Sequence, residues 1–87
     1  MGYALIVFSS STTASRLKRL AALKGIRGVS IIQTPKSISK NGCTYALRCP
    51  GSELFTLKAL AEEYGLGILT LYREILGTDG RKSYELY

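Results

Sequence analysis

QTPKSISKNGCTYALRC, residues 33–49, is the stretch around which the chain is organised. Its centre is rich in Ser, Lys, Asn and Gly, the residues that favour turns. After this turn-forming centre, a strand is predicted over the last six residues of the stretch, 44–49. The stretch therefore predicts a loop, presented by a scaffold, that delivers Cys43 to the start of a strand.

The segments on either side of this loop repeat one order of elements. Residues 3–8 and 29–34 have strand propensity, and a helical apolar pattern lies between them and ends at Gly25. After the loop come strands predicted over 44–49 and 68–75, with a helix between them that Ser52 is predicted to cap.

This order, β-α-β, loop, β-α-β, predicts an α+β fold, the ferredoxin-like β-α-β-β-α-β sandwich with a four-stranded antiparallel sheet and two helices on one face. In that topology the second and third strands are neighbours joined by a hairpin. Residues 35–42 then stand at one edge of the sheet with Cys43 at their base.

The length of 87 residues predicts a single domain over 1–87, with a core at about 3–75 and a C-terminal hairpin or tail at 76–87. Residues 83–87 are expected to add a short extra strand. No apolar run approaches the ~20 residues of a membrane span, and residues 2–8 lack the basic start of a signal peptide. We expect a cytoplasmic protein whose cysteines stay reduced.

The net charge of +6 is unevenly distributed along the sequence. Residues 1–52 hold eight Lys or Arg and no acid, whereas residues 53–87 hold all six acids and four bases. This asymmetry is typical of nucleic-acid binding, but no long basic run is present, and Arg16, Lys18 and Arg19 are interpreted as a solvated helix face. A positive field is expected around Cys43.

The two cysteines are predicted not to form a disulfide. At ~3.3 Å per residue they stand roughly 20 Å apart on one face of a strand, and a disulfide needs Cα atoms within about 7 Å. With no histidine and two cysteines, no metal site and no cofactor are expected. Thiol chemistry at Cys43 remains, with Lys36, Lys40 and the amides of residues 39–42, Ser39 included, stabilising a thiolate. The alternative for Cys43, and the interpretation preferred for Cys49, is a small buried apolar residue.

Three parts of the quoted stretch resemble the signature of a small bacterial family described as putative Se/S carrier protein-like. They are the TPKSIS segment at 34–39, Gly42-Cys43, and Ala46-Leu47-Arg48. The similarity extends over roughly residues 3–75. Many members place a glycine directly after the cysteine, where this chain has Thr44.

The resemblance implies that Cys43 takes a terminal sulfur or selenium atom from a donor, such as a cysteine desulfurase, and passes it to an acceptor enzyme. The atom would be held as a persulfide or selenosulfide, and the chain itself would not be an enzyme. In this interpretation Gly42 allows close approach of the donor, Pro35 stiffens the loop, and Arg48 balances charge. The alternative for Arg48 is a solvent-facing strand residue; the alternatives for Lys36 and Lys40 are solvation of the loop, and for Pro35 the end of a strand.

Two other functional classes stay open. One is a nucleic-acid-binding module, in which Tyr3, Tyr45 and Tyr72 would stack bases; it is not favoured, because the aromatic strand motif of such modules is missing. The other is a small-molecule-sensing regulatory or interaction domain without thiol chemistry.

The predicted strands carry apolar residues on both faces of the sheet, while the two helices cover only one face. An uncovered apolar face is usually buried against a partner, so the sequence predicts a homodimer or larger oligomer.

Overall fold

The computed structural model describes residues 2–8, 10–35, 38, 45–68 and 70–87. These residues form five strands and two helices, in the order that the sequence predicts. The elements are β1 Tyr3–Phe8, α1 Ser11–Leu23, β2 Ser30–Gln33, β3 Tyr45–Pro50, α2 Leu54–Glu63, β4 Thr70–Leu76 and β5 Lys82–Leu86, with a 3₁₀ turn over Gly51–Glu53 ahead of α2.

The strands form one sheet in the order β2-β3-β1-β4-β5, and every neighbouring pair is antiparallel. Each helix connects two strands that have a third strand between them, which is the ferredoxin-like arrangement. The α+β prediction is therefore confirmed. The predicted extra C-terminal strand is β5, which pairs with β4 across a turn closed by the Gly80 N–H donating to the Gly77 carbonyl oxygen at 3.0 Å.

Element boundaries differ from the sequence-based prediction by one or two residues. β3 runs through Pro50, which lies opposite Tyr3 at the end of the ladder. The prediction that Ser52 caps α2 is wrong, because Ser52 lies inside the 3₁₀ turn and Glu53 occupies the N-cap without a side-chain hydrogen bond. The Gly51 N–H, one residue before Ser52, donates to the Gly2 carbonyl oxygen (2.9 Å) and so ties the start of this turn to the residue before β1.

The C-terminal ends of both helices are fixed by a glycine of positive φ, Gly25 at 77° and Gly65 at 68°. In α1 the Ile26 N–H donates to the Ala21 carbonyl oxygen at 2.9 Å, and in α2 Leu66 repeats this bond at 2.8 Å. A residue with a side chain is strained at such a φ, whereas glycine is not. The predicted helix ends at these glycines are thus confirmed.

The main core lies between the helices and one face of the sheet. On β1 and β3 it is formed by alternate residues, and the helices contribute one apolar stripe each. Its largest fully buried side chains are those of Ile6, Phe8, Leu17, Leu47, Cys49, Leu54 and Leu57.

The opposite face of the sheet carries no helix among the described residues, and we call it the helix-free face. At its centre Leu5, Val7 and Ala46 are nevertheless buried. The side chains packed against them are those of Ile32, Ile38, Tyr72 and Tyr84. The sequence-based expectation of an uncovered apolar face is therefore wrong for the centre of this face, because the chain's own tyrosines and isoleucines cover it.

Candidate functional site

The loop of interest leaves the sheet between two paired strands. Gln33, the last residue of β2, lies opposite Tyr45, the first residue of β3, so both ends of the loop stand at one end of this strand pair. Five of the predicted site residues, Lys36, Ser39, Lys40, Gly42 and Cys43, lie outside the described residues. Pro35 and Arg48 are described; Pro35 follows β2 and Arg48 lies within β3.

Pro35 is half-buried, and its carbonyl oxygen accepts a hydrogen bond from the Ile38 N–H at 3.1 Å. The Ile38 side chain packs against the buried cluster of Leu5, Val7 and Ala46. Ile38 thus anchors the loop to the helix-free face. Sequence reasoning did not assign this role to Ile38; the available signal was an isolated apolar residue within a polar loop.

Thr34 is a second residue whose importance sequence reasoning missed. It is 6% exposed, and its Oγ1 atom is buried with no hydrogen-bond partner among the described residues. A buried hydroxyl without a partner costs about 1–3 kcal/mol, so such a group usually has a structural or functional reason. It directly precedes Pro35, at the point where the loop begins.

Arg48 lies on the helix-free face and is held in place by two partners. Its Nε donates to Glu74 Oε1 at 3.3 Å and its Nη2 donates to Glu74 Oε2 at 3.1 Å, so the pair is bidentate. Its guanidinium also stacks on the Tyr3 ring, 3.7 Å from the centroid. The hydrogen bonding that Arg48 donates to Glu74 is the main cause that raises the pKa of Arg48.

This arrangement revises the interpretation of Arg48 as a charge that balances a loaded cargo. A side chain of 26% exposure that is paired with a carboxylate of 9% exposure already has its charge compensated. The pair spans β1, because Arg48 is on β3 and Glu74 is on β4. Its evident role is to join three strands on the helix-free face.

Tyr84 extends the same polar cluster toward the edge of the sheet. It lies opposite Glu74 in the β4–β5 pairing. Partial burial is the largest cause of its raised pKa, followed by the nearby Glu74 charge. The phenol therefore stays neutral at physiological pH.

Cys49 lies on the helix side of β3, one residue from Arg48 and facing the other way. It is a free cysteine with 0% exposure in the main core. Burial, and secondarily the Glu53 charge, raise the pKa of its thiol to about 11. Because the thiolate is the nucleophile, Cys49 is inert at neutral pH, which confirms its interpretation as a core residue.

Metal and membrane interpretations receive no support from the described residues. Among them, no group of three or more His, Cys, Asp or Glu is arranged to hold a metal ion. Neither of the described helices has both the length and the apolar character needed to cross a membrane.

Comparison with known proteins gives one match. The model of the family described as "Putative Se/S carrier protein-like" matches residues 3–73, from β1 into β4. The chain belongs to this family. The matched segment includes the whole 34–44 loop and therefore Cys43, and the description of this Se/S carrier-like family names a carrier of selenium or sulfur. No curated protein and no solved structure matches the chain.

Proposed function

We propose that this chain carries a sulfur or selenium atom on Cys43, as a persulfide or selenosulfide, between a donor and an acceptor enzyme. One observation carries the proposal beyond the family description. The sequence holds two cysteines, and Cys49 is sealed in the core with its thiol pKa raised to about 11. In a thiol-based carrier of this sequence, the cargo therefore belongs on Cys43.

Loading requires no external oxidant or reductant. The Cys43 thiolate attacks the terminal sulfur of a donor persulfide, such as that of a cysteine desulfurase, and a new S–S bond forms on Cys43. The donor S–S bond breaks, and its electron pair leaves with the donor thiolate, which takes up a proton. Delivery to the acceptor repeats the same exchange.

The loop residues have supporting roles in this proposal. Lys36, Lys40 and the amides around Ser39 stabilise the anionic cargo, Gly42 lets the donor approach, and Pro35 stiffens the start of the loop. The buried Thr34 hydroxyl has no hydrogen-bond partner among the described residues and is therefore available to this segment. Arg48 is left with a structural role, since Glu74 compensates its charge.

A carrier of this kind holds its cargo between partner enzymes and does not itself catalyse a reaction. The Cys43 thiol must be in its reduced form to accept a sulfur atom, so we propose the reducing cytoplasm as its compartment. The expected partners are a cysteine desulfurase or a selenium donor, together with an acceptor enzyme.

The nucleic-acid alternative loses support from the positions of the tyrosines. Tyr45 packs against the helix-side core, on the opposite side of the sheet from Tyr72. Tyr3 already has the Arg48 guanidinium on its ring. Tyr3, Tyr45 and Tyr72 therefore do not form one surface of free rings on which bases could stack.

The homodimer or larger oligomer remains a prediction. Because the centre of the helix-free face is covered, the prediction now rests on exposed apolar residues at the edge of that face. There Leu76 and Leu86 are 69% and 68% exposed, on the adjacent strands β4 and β5. Light scattering at tens of micromolar protein tests it, with Leu86→Lys expected to shift the assembly toward monomer. A monomeric wild-type chain would contradict the prediction.

The proposed function is tested by loading. The protein is incubated with a cysteine desulfurase, its pyridoxal cofactor and cysteine, and its intact mass is then measured. We expect a gain of one sulfur atom that reductant removes, in wild type and Cys49→Ala, and no gain in Cys43→Ser. Loading that persists in Cys43→Ser would contradict the proposal. A chemical persulfide donor, used in parallel, covers the case in which the natural donor is a different enzyme.

A further inference from the structure

A pocket of about 590 Å³ opens at the end of the sheet where β1 begins and β3 ends. It is lined by Tyr3, Ala4, Pro50, Gly51, Arg73 and Tyr87, among others, and we call it the end pocket. None of the described lining residues belongs to the 34–44 segment, and β3 begins at Tyr45, at its other end. Nothing below depends on thiol chemistry.

The floor of the end pocket is made by backbone. The Gly51 N–H donates to the Gly2 carbonyl oxygen at 2.9 Å, which fixes the chain leaving β3 to the chain entering β1. A Cβ atom at Gly51 would lie 3.2 Å from that same oxygen. Such close contact leaves little room for a side chain, so the glycine keeps both segments in place beneath the pocket.

The aromatic wall on the helix side of the end pocket is Tyr87, which neighbouring groups hold in position. Tyr87 makes an edge-to-face contact with Phe55, at 5.5 Å between centroids, and its N–H donates to the Leu71 carbonyl oxygen at 3.0 Å. The Tyr3 ring, by contrast, lies on the helix-free face under the Arg48 guanidinium. A wall held in this way needs little ordering when a ligand binds, which favours affinity.

The charged side chain of the end pocket is that of Arg73, whose guanidinium lies 4.9 Å from the Tyr87 ring centroid. The ion pairs formed by described residues do not include Arg73. Glu85 lies opposite it in the β4–β5 pairing but forms no ion pair with it. Arg73 therefore differs from Arg48, because its guanidinium can accept an anionic partner.

We propose that the end pocket binds a small aromatic anion, with its carboxylate or phosphate group on Arg73 and its ring against Tyr87. The volume lies within the range of about 300–1,000 Å³ typical of small-molecule sites. An aromatic wall selects a flat apolar body, and a guanidinium selects a planar carboxylate or a phosphate. Glu85 weakens this attraction through its charge.

The proposal is tested by titrating the ¹⁵N-labelled full chain in NMR with four probes. Benzoate and phenyl phosphate carry both ring and charge, benzamide keeps the ring without the charge, and inorganic phosphate keeps the charge without the ring. We expect the two aromatic anions to shift the amides of residues 2–4, 51–52 and 73, with about tenfold higher affinity than benzamide or inorganic phosphate. The stronger of the two identifies the preferred head group.

Three variants sharpen the result. Arg73→Gln should weaken the binding of the aromatic anions about tenfold, and Glu85→Gln should strengthen it. Arg16→Gln removes the same charge from the exposed surface of α1 and should leave binding unchanged. Equal affinities for benzoate and benzamide in wild type, equal losses in Arg73→Gln and Arg16→Gln, or absence of shifts at the end pocket would each overturn the proposal.

Discussion

The two faces of the sheet bury neighbouring residues of the same strands in different ways. On the helix side, alternate residues of β1 and β3 are covered by α1 and α2 and form an apolar core that includes Cys49. On the helix-free face, Leu5, Val7 and Ala46 are covered by single side chains from β2, β4, β5 and the loop. Around them lies a polar cluster of Arg48, Glu74 and Tyr84.

This difference shows why adjacent positions on β3 have different chemistry. Arg48 points to the face where an ion pair is half-buried and remains charged, whereas Cys49 points into the helix-covered core and remains protonated. The loop reaches the sheet through Ile38 on the helix-free face. The inert character of Cys49 thus follows from the face of β3 on which its side chain lies.

The largest difference in stability between the two faces is expected when a buried leucine is shortened to alanine and leaves a cavity. Leu47→Ala, on the helix side, should lower the free energy of unfolding by about 2–5 kcal/mol, because the helices on that face cannot easily close the cavity. Leu5→Ala, at the same 0% exposure on the helix-free face, should lower it less, since the tyrosines above it can move into the space. Urea unfolding measures both. A larger loss in Leu5→Ala would contradict the comparison.

The polar cluster of the helix-free face is tested by breaking its ion pair. Arg48→Met should lower the free energy of unfolding by about 1–3 kcal/mol, because it leaves the Glu74 carboxylate, at 9% exposure, without its partner. The double variant Arg48→Met, Glu74→Gln should recover part of this loss. The exposed pair Lys58–Glu62 is the matched control, and Lys58→Met should change stability by less than about 0.5 kcal/mol. Additive losses in the Arg48–Glu74 double variant would show that the pair is not coupled.

The buried thiol predicts a pH dependence of stability on the alkaline side. Unfolded Cys49 loses its proton near the ordinary pKa of 9.0, whereas the folded thiol does so at about 11. Between these values the unfolded state binds fewer protons, so stability falls as pH rises, by about 1 kcal/mol from about pH 9 to about pH 10. Cys49→Ala should remove this part of the slope. Identical slopes in wild type and variant would contradict the assigned burial.

The smallest expected effect on stability belongs to the loop anchor. Ile38→Ala should lower the free energy of unfolding by about 1 kcal/mol, because the side chain is only half-buried. Hydrogen exchange should nevertheless become faster at the Ile38 N–H, which is bonded to the Pro35 carbonyl oxygen. Unchanged exchange at this amide would show that the packing of Ile38 does not hold the loop.

Much of the fold follows from the sequence because its signals are local. Gly25 and Gly65 mark the ends of two apolar helical patterns, and Pro35 marks the end of a strand, so the element order follows without tertiary information. The topology then has few alternatives. The prediction for the α2 cap is wrong because the chain makes a 3₁₀ turn over Gly51–Glu53 before α2 begins, which places Glu53 instead of Ser52 at the N-cap.

The site was less predictable because the side chains that contact its residues come from strands that are distant in the sequence. Arg48 was interpreted as a free charge, since nothing near it in the sequence indicates that Glu74 lies across β1. Tyr45 and Tyr72 look equivalent in the sequence, but their strands turn them to opposite faces. By contrast, Cys49 could be interpreted correctly, because its apolar neighbours on β3 already indicate a core position.

The central claim is that this chain has one reactive thiol and one inert thiol. Its most direct test is the rate of iodoacetamide labelling at each cysteine, followed in the native protein by peptide mass spectrometry. We predict rapid labelling of Cys43 and labelling of Cys49 only when the protein is unfolded in urea, where its helix-side core opens. Equally slow native labelling of both cysteines, or faster labelling of Cys49, would contradict the claim.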